Sequence, residues 1–261
     1  MLNPFKKCQI CLNNFPAYGL SCYGCRSAVM NKLWDGCALC GVGHCAGWCH
    51  KMPQFENVKC VFAYDSFFSS LLVKAKDSQC VVSEALFKDL FFLVCVSKIV
   101  GLIEKYEIDT VILPPLSAKR VSTGAWHSSL MFEEVLKSIQ KLNLASPISS
   151  FSVFFPNVKR QAYISAKNRI IEAEMLNYSA NNLADKCFVV PVIEEDFKKK
   201  STLSESCLVQ SESKHVLLLD DVLTSGGTAI KTQRSAQKIF PNASWSYFSL
   251  FRSPQLEMVA G

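Results

Sequence analysis

The chain has 261 residues, 49% of them hydrophobic and 19% charged, with a formal net charge of +6. That composition excludes a wholly disordered or histone-like chain and supplies enough apolar surface for one large domain beside a small one. A charge of +6 permits a polyanionic partner, nucleic acid or a phosphorylated substrate, without requiring one.

The N-terminal MLNPFKKCQICLNNF lacks the continuous apolar core of a signal peptide, so a cytoplasmic protein is expected. Thirteen cysteines in such a chain point to thiols or metal ligation rather than disulfides, and eight of them fall between Cys8 and Cys49. Three C-x2-C pairs, Cys8 with Cys11, Cys22 with Cys25 and Cys37 with Cys40, are followed by Cys45 and Cys49. Each pair presents two thiolates to one ion, and a second pair completes a tetrahedral shell. Cys8, Cys11, Cys22 and Cys25 are therefore predicted to hold one structural Zn2+. Cys37, Cys40, Cys45 and Cys49 form a second candidate set, in which His44 or His50 could replace a thiolate. An iron–sulfur cluster would use the same ligands. A four-thiolate shell has no open position for catalysis, but it supplies folding energy that a stretch of about 50 residues lacks. Tyr23, Trp34 and Trp48 lie in this stretch, where they would stack on bases or pack around the metal.

From residue 53 the pattern changes. Val58, Cys60, Phe62 and Tyr64 recur at the strand period within residues 55–65, and residues 67–76 read as a helix. A long helix follows over about 83–106. Its apolar run is broken by Lys88, Asp89 and Lys98, which suits a buried soluble helix better than a membrane span. Residues 110–116, TVILPPL, read as a buried strand stopped by Pro114 and Pro115. Helical spacing returns over 129–142 and 167–183, and FVVPVI is a further strand. The serine-rich, mixed-charge residues 194–214 are expected to form an exposed loop with Lys198–Lys200 solvated. A strand, a glycine turn, a helix over about 226–239 and a strand over 245–251 close the chain. Alternating strands and helices define an α/β domain with a mostly parallel sheet.

Residues 215–229, HVLLLDDVLTSGGTA, concentrate the chemistry. Val216–Leu219 is a fully buried strand with Asp220 and Asp221 at its carboxyl end, where open parallel sheets bind ligands. Thr224, Ser225, Gly226, Gly227 and Thr228 then turn into a helix. Glycines let backbone N–H groups close around an anion, hydroxyls add donors, and the helix N-terminus adds its dipole. The two carboxylates would repel phosphate but can accept hydrogen bonds from a diol. A ribose 5-phosphate offers both groups.

VLLLDDVLTSGGT resembles the phosphoribosyl-pyrophosphate (PRPP) motif of type I phosphoribosyltransferases, with Ser225 in place of the usual second threonine. Together with the cysteine pairs, the chain is similar to the ComF family (ComFC and GntX-like proteins). The resemblance implies a double zinc-ribbon domain over 1–52 and a phosphoribosyltransferase-like domain over 53–261. It also extends to Tyr64 and Lys74, to ILPPLSAKR and to RQAYISAKNR. By that likeness Pro115, Leu116, Arg120 and Lys74 would serve a pyrophosphate loop, and Gln161 and Arg169 a mobile loop. The chain departs from the family after Arg120, where VSTGAWHSS lacks a second arginine and Trp126 takes the aromatic place. The connection over 181–215 is also longer than usual.

The resemblance implies a DNA-uptake protein that handles internalised single-stranded DNA in natural transformation, with a ComFA-like helicase ATPase as partner and PRPP or another ribose-5-phosphate compound in the pocket. A true phosphoribosyltransferase using Mg2+–PRPP on an unidentified acceptor is the alternative, and a sensor of PRPP or a nucleotide monophosphate a third. No base-recognition hood is legible, so binding is expected ahead of chemistry.

Overall fold

In the computed structural model the described residues are 7–13, 20–39, 52–77, 81–117, 126–155, 188–191 and 213–253. They form a six-stranded sheet: β1 (Asn57–Ala63), β2 (Thr110–Ser117), β3 (Ser149–Phe155), β4 (Phe188–Pro191), β5 (His215–Leu223) and β6 (Ser244–Arg252). The spatial order is β1-β6-β5-β2-β3-β4. The first five strands of that order run parallel, and β4 runs antiparallel to β3 at the edge.

The helices are α1 (Tyr23–Met30), α2 (Ser66–Asp77), α3 (Val81–Tyr106), α4 (Ser128–Lys141) and α5 (Gly227–Ala236). Residues of α2, α3 and α4 pack with Leu217, Leu219 and Phe251 in one buried cluster, which also takes in Val29 of α1. Residues of α5 pack with Val216, Leu218, Met52 and Phe55 in a second. Alternate residues of β5 thus face opposite layers, which is why its first five residues are all buried and its sequence is a continuous apolar run. Phe62, Phe68, Phe87 and Phe91 meet Phe251 at centroid distances of 4.9 to 6.2 Å.

Three features depart from the sequence reading. Pro114 and Pro115 do not end β2. The strand runs on to Ser117, and its pairing with β3 shifts register between Leu113 and Leu116, a bulge that absorbs two residues lacking an N–H. β3 was not expected as a strand at all. β5 does not stop at Leu219 but carries its ladder through both aspartates to Leu223. The predicted helix over 167–183 and most of the 181–215 connection lie outside the described residues. Among the described residues no helix is long and apolar enough to cross a membrane.

Candidate functional site

β2 and β5 are neighbours, yet β2 continues through α4 to β3 on one side and β5 through α5 to β6 on the other. Their carboxyl ends therefore form a topological switch point, the place where open α/β sheets leave a crevice. The aspartate pair, the hydroxyl–glycine turn and the bulged end of β2 all converge there.

The turn is built for close approach. Gly226 has φ +83°, the left-handed conformation that glycine adopts without strain, and a Cβ on it would lie 3.0 Å from the Met52 sulfur. It caps α5 without any side-chain cap bond. The first amides of α5 have no intrahelical acceptor and point toward the turn. Ser225 Oγ is buried, and among the described residues it has no hydrogen-bond partner. An orphaned hydroxyl beside a helix N-terminus fits an anion that would complete both.

The two aspartates do not act as one carboxylate face. Successive strand residues point oppositely, and their partners differ accordingly. Asp221 is buried and ion-paired with Lys76 of α2, and it accepts a hydrogen bond of 2.5 Å from Ser128 Oγ in the first turn of α4. Ser129 Oγ donates to the Pro114 carbonyl at 2.7 Å, so α4 ties the ends of β2 and β5 together. Asp220 lies toward the other layer, accepting from Tyr247 Oη at 3.0 Å and from the Asp221 amide at 2.8 Å. Burial, then the Asp221 charge, pushes its pKa up to about 7 against the pull of Lys76. Burial and the same aspartate hold the Tyr247 phenol well above its ordinary range. Asp220 is thus a carboxyl poised near neutrality, and Asp221 a carboxylate held by a lysine and a hydroxyl.

Lys74, expected at the pyrophosphate loop, is exposed on the last turn of α2, and Lys76 is the lysine that enters the site. Pro115 and Leu116 lie in the end of β2, with their side chains outside the description. Arg120, Gln161 and Arg169 lie outside the described residues. Trp126 is core: 5% exposed, it packs edge-on against Phe87 at 5.3 Å. Sequence reasoning missed Lys76, Ser128, Tyr247 and Arg252, which reach the site only through tertiary packing. The YDS turn ahead of α2 and the SS pair opening α4 were the available local signals.

In the N-terminal segment the Sγ atoms of Cys8, Cys11, Cys22 and Cys25 all lie within 4.8 Å of one another, and Cys11 and Cys22 are 3.8 Å apart. A tetrahedral ion bonded to sulfur at about 2.3 Å separates its ligands by about 3.8 Å, so the four can hold a metal ion such as zinc. Backbone N–H groups support the sulfurs: Ile10 and Cys22 donate to Cys8 Sγ, and Cys25 to Cys22 Sγ at the start of α1. Burial raises the Cys8 thiol, but hydrogen bonds from the Cys11, Cys22 and Ile10 amides and from the Cys11 thiol outweigh it and bring the pKa down to about 6; burial and the neighbouring thiols push Cys25 upward. Cys37 is half-buried beside Ala38 and Leu39, and Cys40, Cys45, Cys49, His44, His50 and Trp48 lie outside the described residues. Tyr23 is exposed and Trp34 half-buried.

Asp89 of α3 anchors this segment. It pairs with Arg26 at 2.8 Å and accepts from Ser21 Oγ at 3.0 Å and the Leu20 amide at 3.3 Å. Residues 32–34 then run beside β1, with Trp34 N–H to the Val61 carbonyl and Ala63 N–H to the Lys32 carbonyl. No protein-family model matches the chain, and no curated protein matches it either. The fold and site define an α/β protein with a glycine–hydroxyl turn at its switch point and a four-cysteine cluster docked on α3.

Proposed function

We propose that this chain is a ComF-like protein in which a zinc-bearing N-terminal segment accompanies a pocket for a ribose 5-phosphate group, PRPP or a nucleotide end, and that it acts on internalised single-stranded DNA beside a ComFA-like helicase ATPase. One observation carries the pocket: a left-handed glycine, an orphaned buried hydroxyl and a helix N-terminus meet at the switch point. In this reading Ser225, Thr228 and the first amides of α5 hold the phosphate. Lys76 neutralises Asp221, so that a negatively charged ligand meets a balanced site. Asp220 turns a carboxyl toward the sugar hydroxyls, as acceptor when ionised and donor when protonated. The DNA role rests on the sequence resemblance, with the exposed Tyr23 and the positive charge in keeping with it.

Calorimetric titration with ribose 5-phosphate and with PRPP, each with and without Mg2+, tests the pocket. Saturable binding lost on Thr228→Val with Ser225→Ala is the expected result, and no heat with either ligand would end the reading. A low-salt gel shift with single-stranded DNA tests the second part, with binding expected to weaken steeply as salt rises. The transferase alternative is favoured by one feature. The bulge at Pro114–Leu116 breaks the β2–β3 ladder at the switch point, where a leaving diphosphate and its Mg2+ would sit. PRPP binding that is strictly Mg2+-dependent, with pyrophosphate released on adding a nucleobase, would select that reading.

A further inference from the structure

Arg252, the last residue of β6, is 1% exposed. Its guanidinium donates to five backbone carbonyls. Nε reaches Ala38 at 2.9 Å and Nη2 reaches Leu39 at 3.1 Å. Nη1 is shared among Leu223 at 2.9 Å, Thr224 at 2.6 Å and Ser253 at 2.9 Å. A buried cation is costly unless its donors are satisfied, and a side chain needed only to fill volume would be apolar. The five acceptors lie in three separate stretches of chain. Leu223 and Thr224 lead from β5 into the hydroxyl–glycine turn. Ala38 and Leu39 belong to the cysteine-rich segment, directly after Cys37.

The same segment touches the turn a second time. Leu39 packs against the buried cluster containing Leu223 and Ala229, and Met52 sits so close to Gly226 that a Cβ there would lie 3.0 Å from its sulfur and push it aside. The backbone that leads into the helix N-terminus is therefore pinned by Arg252 and roofed by Leu39 and Met52. Lysine could not substitute, because one ammonium cannot span acceptors on both stretches as a planar fork does.

We propose that Arg252 is a positioning residue for the sugar-phosphate turn and that the cysteine-rich segment forms a wall of that site, so the turn is competent only while the two are clasped. The proposal rests on the functional reading above. It assigns to residues 38, 39 and 52 a role in ligand binding separate from any metal.

The test compares Arg252→Lys with Phe240→Leu in the full chain; Phe240 is fully buried in the same cluster and makes ring contacts with Phe151 and Trp245. At a temperature where both variants are folded, Arg252→Lys is expected to weaken ribose 5-phosphate binding about tenfold or more, and Phe240→Leu to leave it within about twofold. Amide exchange over 36–39 and over 222–226 should accelerate together in Arg252→Lys while β2 stays protected. Equal affinity losses in the two variants, or faster exchange at 222–226 with 36–39 unchanged, would overturn the proposal. If Arg252→Lys does not fold, Met52→Ala carries the test, with weaker binding and faster exchange at 224–226 expected and wild-type behaviour counting against it. Should the wild-type chain take up no ribose 5-phosphate, the functional reading falls, while the exchange result still decides whether Arg252 couples the two stretches.

Discussion

Asp220→Asn is expected to stabilise the ligand-free chain, and to do so only above about pH 4. The folded protein holds the Asp220 proton from the ordinary value of 3.8 up to about 7, because burial and the Asp221 charge oppose ionisation. Between those values the folded state binds more protons than the unfolded one, so stability falls as pH rises through the window. Below about pH 4 the penalty is absent in both states, and above about pH 7 it is complete. At about 1.4 kcal/mol per pH unit the rise bounds the penalty at about 4 kcal/mol, with about 2 kcal/mol expected where water reaches part of the group. Asparagine keeps the geometry: its oxygen accepts the Asp221 amide, and its NH2 donates to Tyr247 Oη, which now acts as acceptor. Urea denaturation of both proteins at pH 4.5 and pH 8 measures the difference. A gain of about 0.5 kcal/mol at pH 4.5 that grows to about 2 kcal/mol at pH 8 is the expected result. An equal difference at both pH values, or a less stable variant at pH 8, would show that burial does not oppose ionisation of Asp220. If the carboxylate serves ligand binding, the stabilised variant should also bind ribose 5-phosphate more weakly at pH 8.

Further outcomes follow from the same geometry. Lys76→Met takes the paired cation from the buried Asp221 carboxylate, and a loss of about 3 kcal/mol is expected by chemical denaturation at neutral pH. Gly226→Ala must adopt a left-handed φ and displace Met52; a cost of about 1–3 kcal/mol is expected. Adding Met52→Ala should recover the steric part but not the backbone part. Cys22→Ser should remove one equivalent of bound metal, measured by mass spectrometry of protein purified without chelator, while the serine hydroxyl keeps the N-cap of α1. Asp89→Ala should cost about 1–3 kcal/mol and expose residues 20–30 to proteolysis, since it removes the acceptor for three donors of that segment.

Much of the fold is legible because it is local. β5 announces itself as an apolar run, α3 as a long helix and the 224–228 turn by its glycines, and each lies within a few residues of its expected span. Cys8, Cys11, Cys22 and Cys25 were readable because a tetrahedral shell dictates paired spacing, and their sulfurs are indeed brought together. What escaped is non-local. Ser149–Phe155, SSFSVFF, lacks a strict strand alternation, and only its place between β2 and β4 makes a strand of it. The prolines of β2 were read as a stop because their missing N–H groups break a ladder, but a bulge at the strand end accommodates both. Lys76 and Lys74 are two residues apart on a helix, so which one enters the crevice depends on how α2 rotates against the sheet. Two adjacent aspartates look like one acidic site in a sequence, whereas on a strand their side chains diverge.

Among the described residues the sheet places its first strand against its last: β1 pairs with β6 along nearly its whole length, from Asn57↔Ser246 to Ala63↔Arg252. During synthesis, then, Phe62, Phe68, Phe87 and Phe91 must wait for Phe251 before their shared cluster can close. The nascent chain exposes both an unpaired strand edge and a patch of aromatic rings until Phe251 has left the ribosome. Such long-range pairing slows folding and invites aggregation or chaperone capture in the interval. The cysteine cluster, whose four ligands lie within the first 25 residues, has no such delay and can take up its metal while the rest is still being made. A ribosome-bound chain halted before β6 should therefore hold metal and yet remain sensitive to protease throughout its sheet.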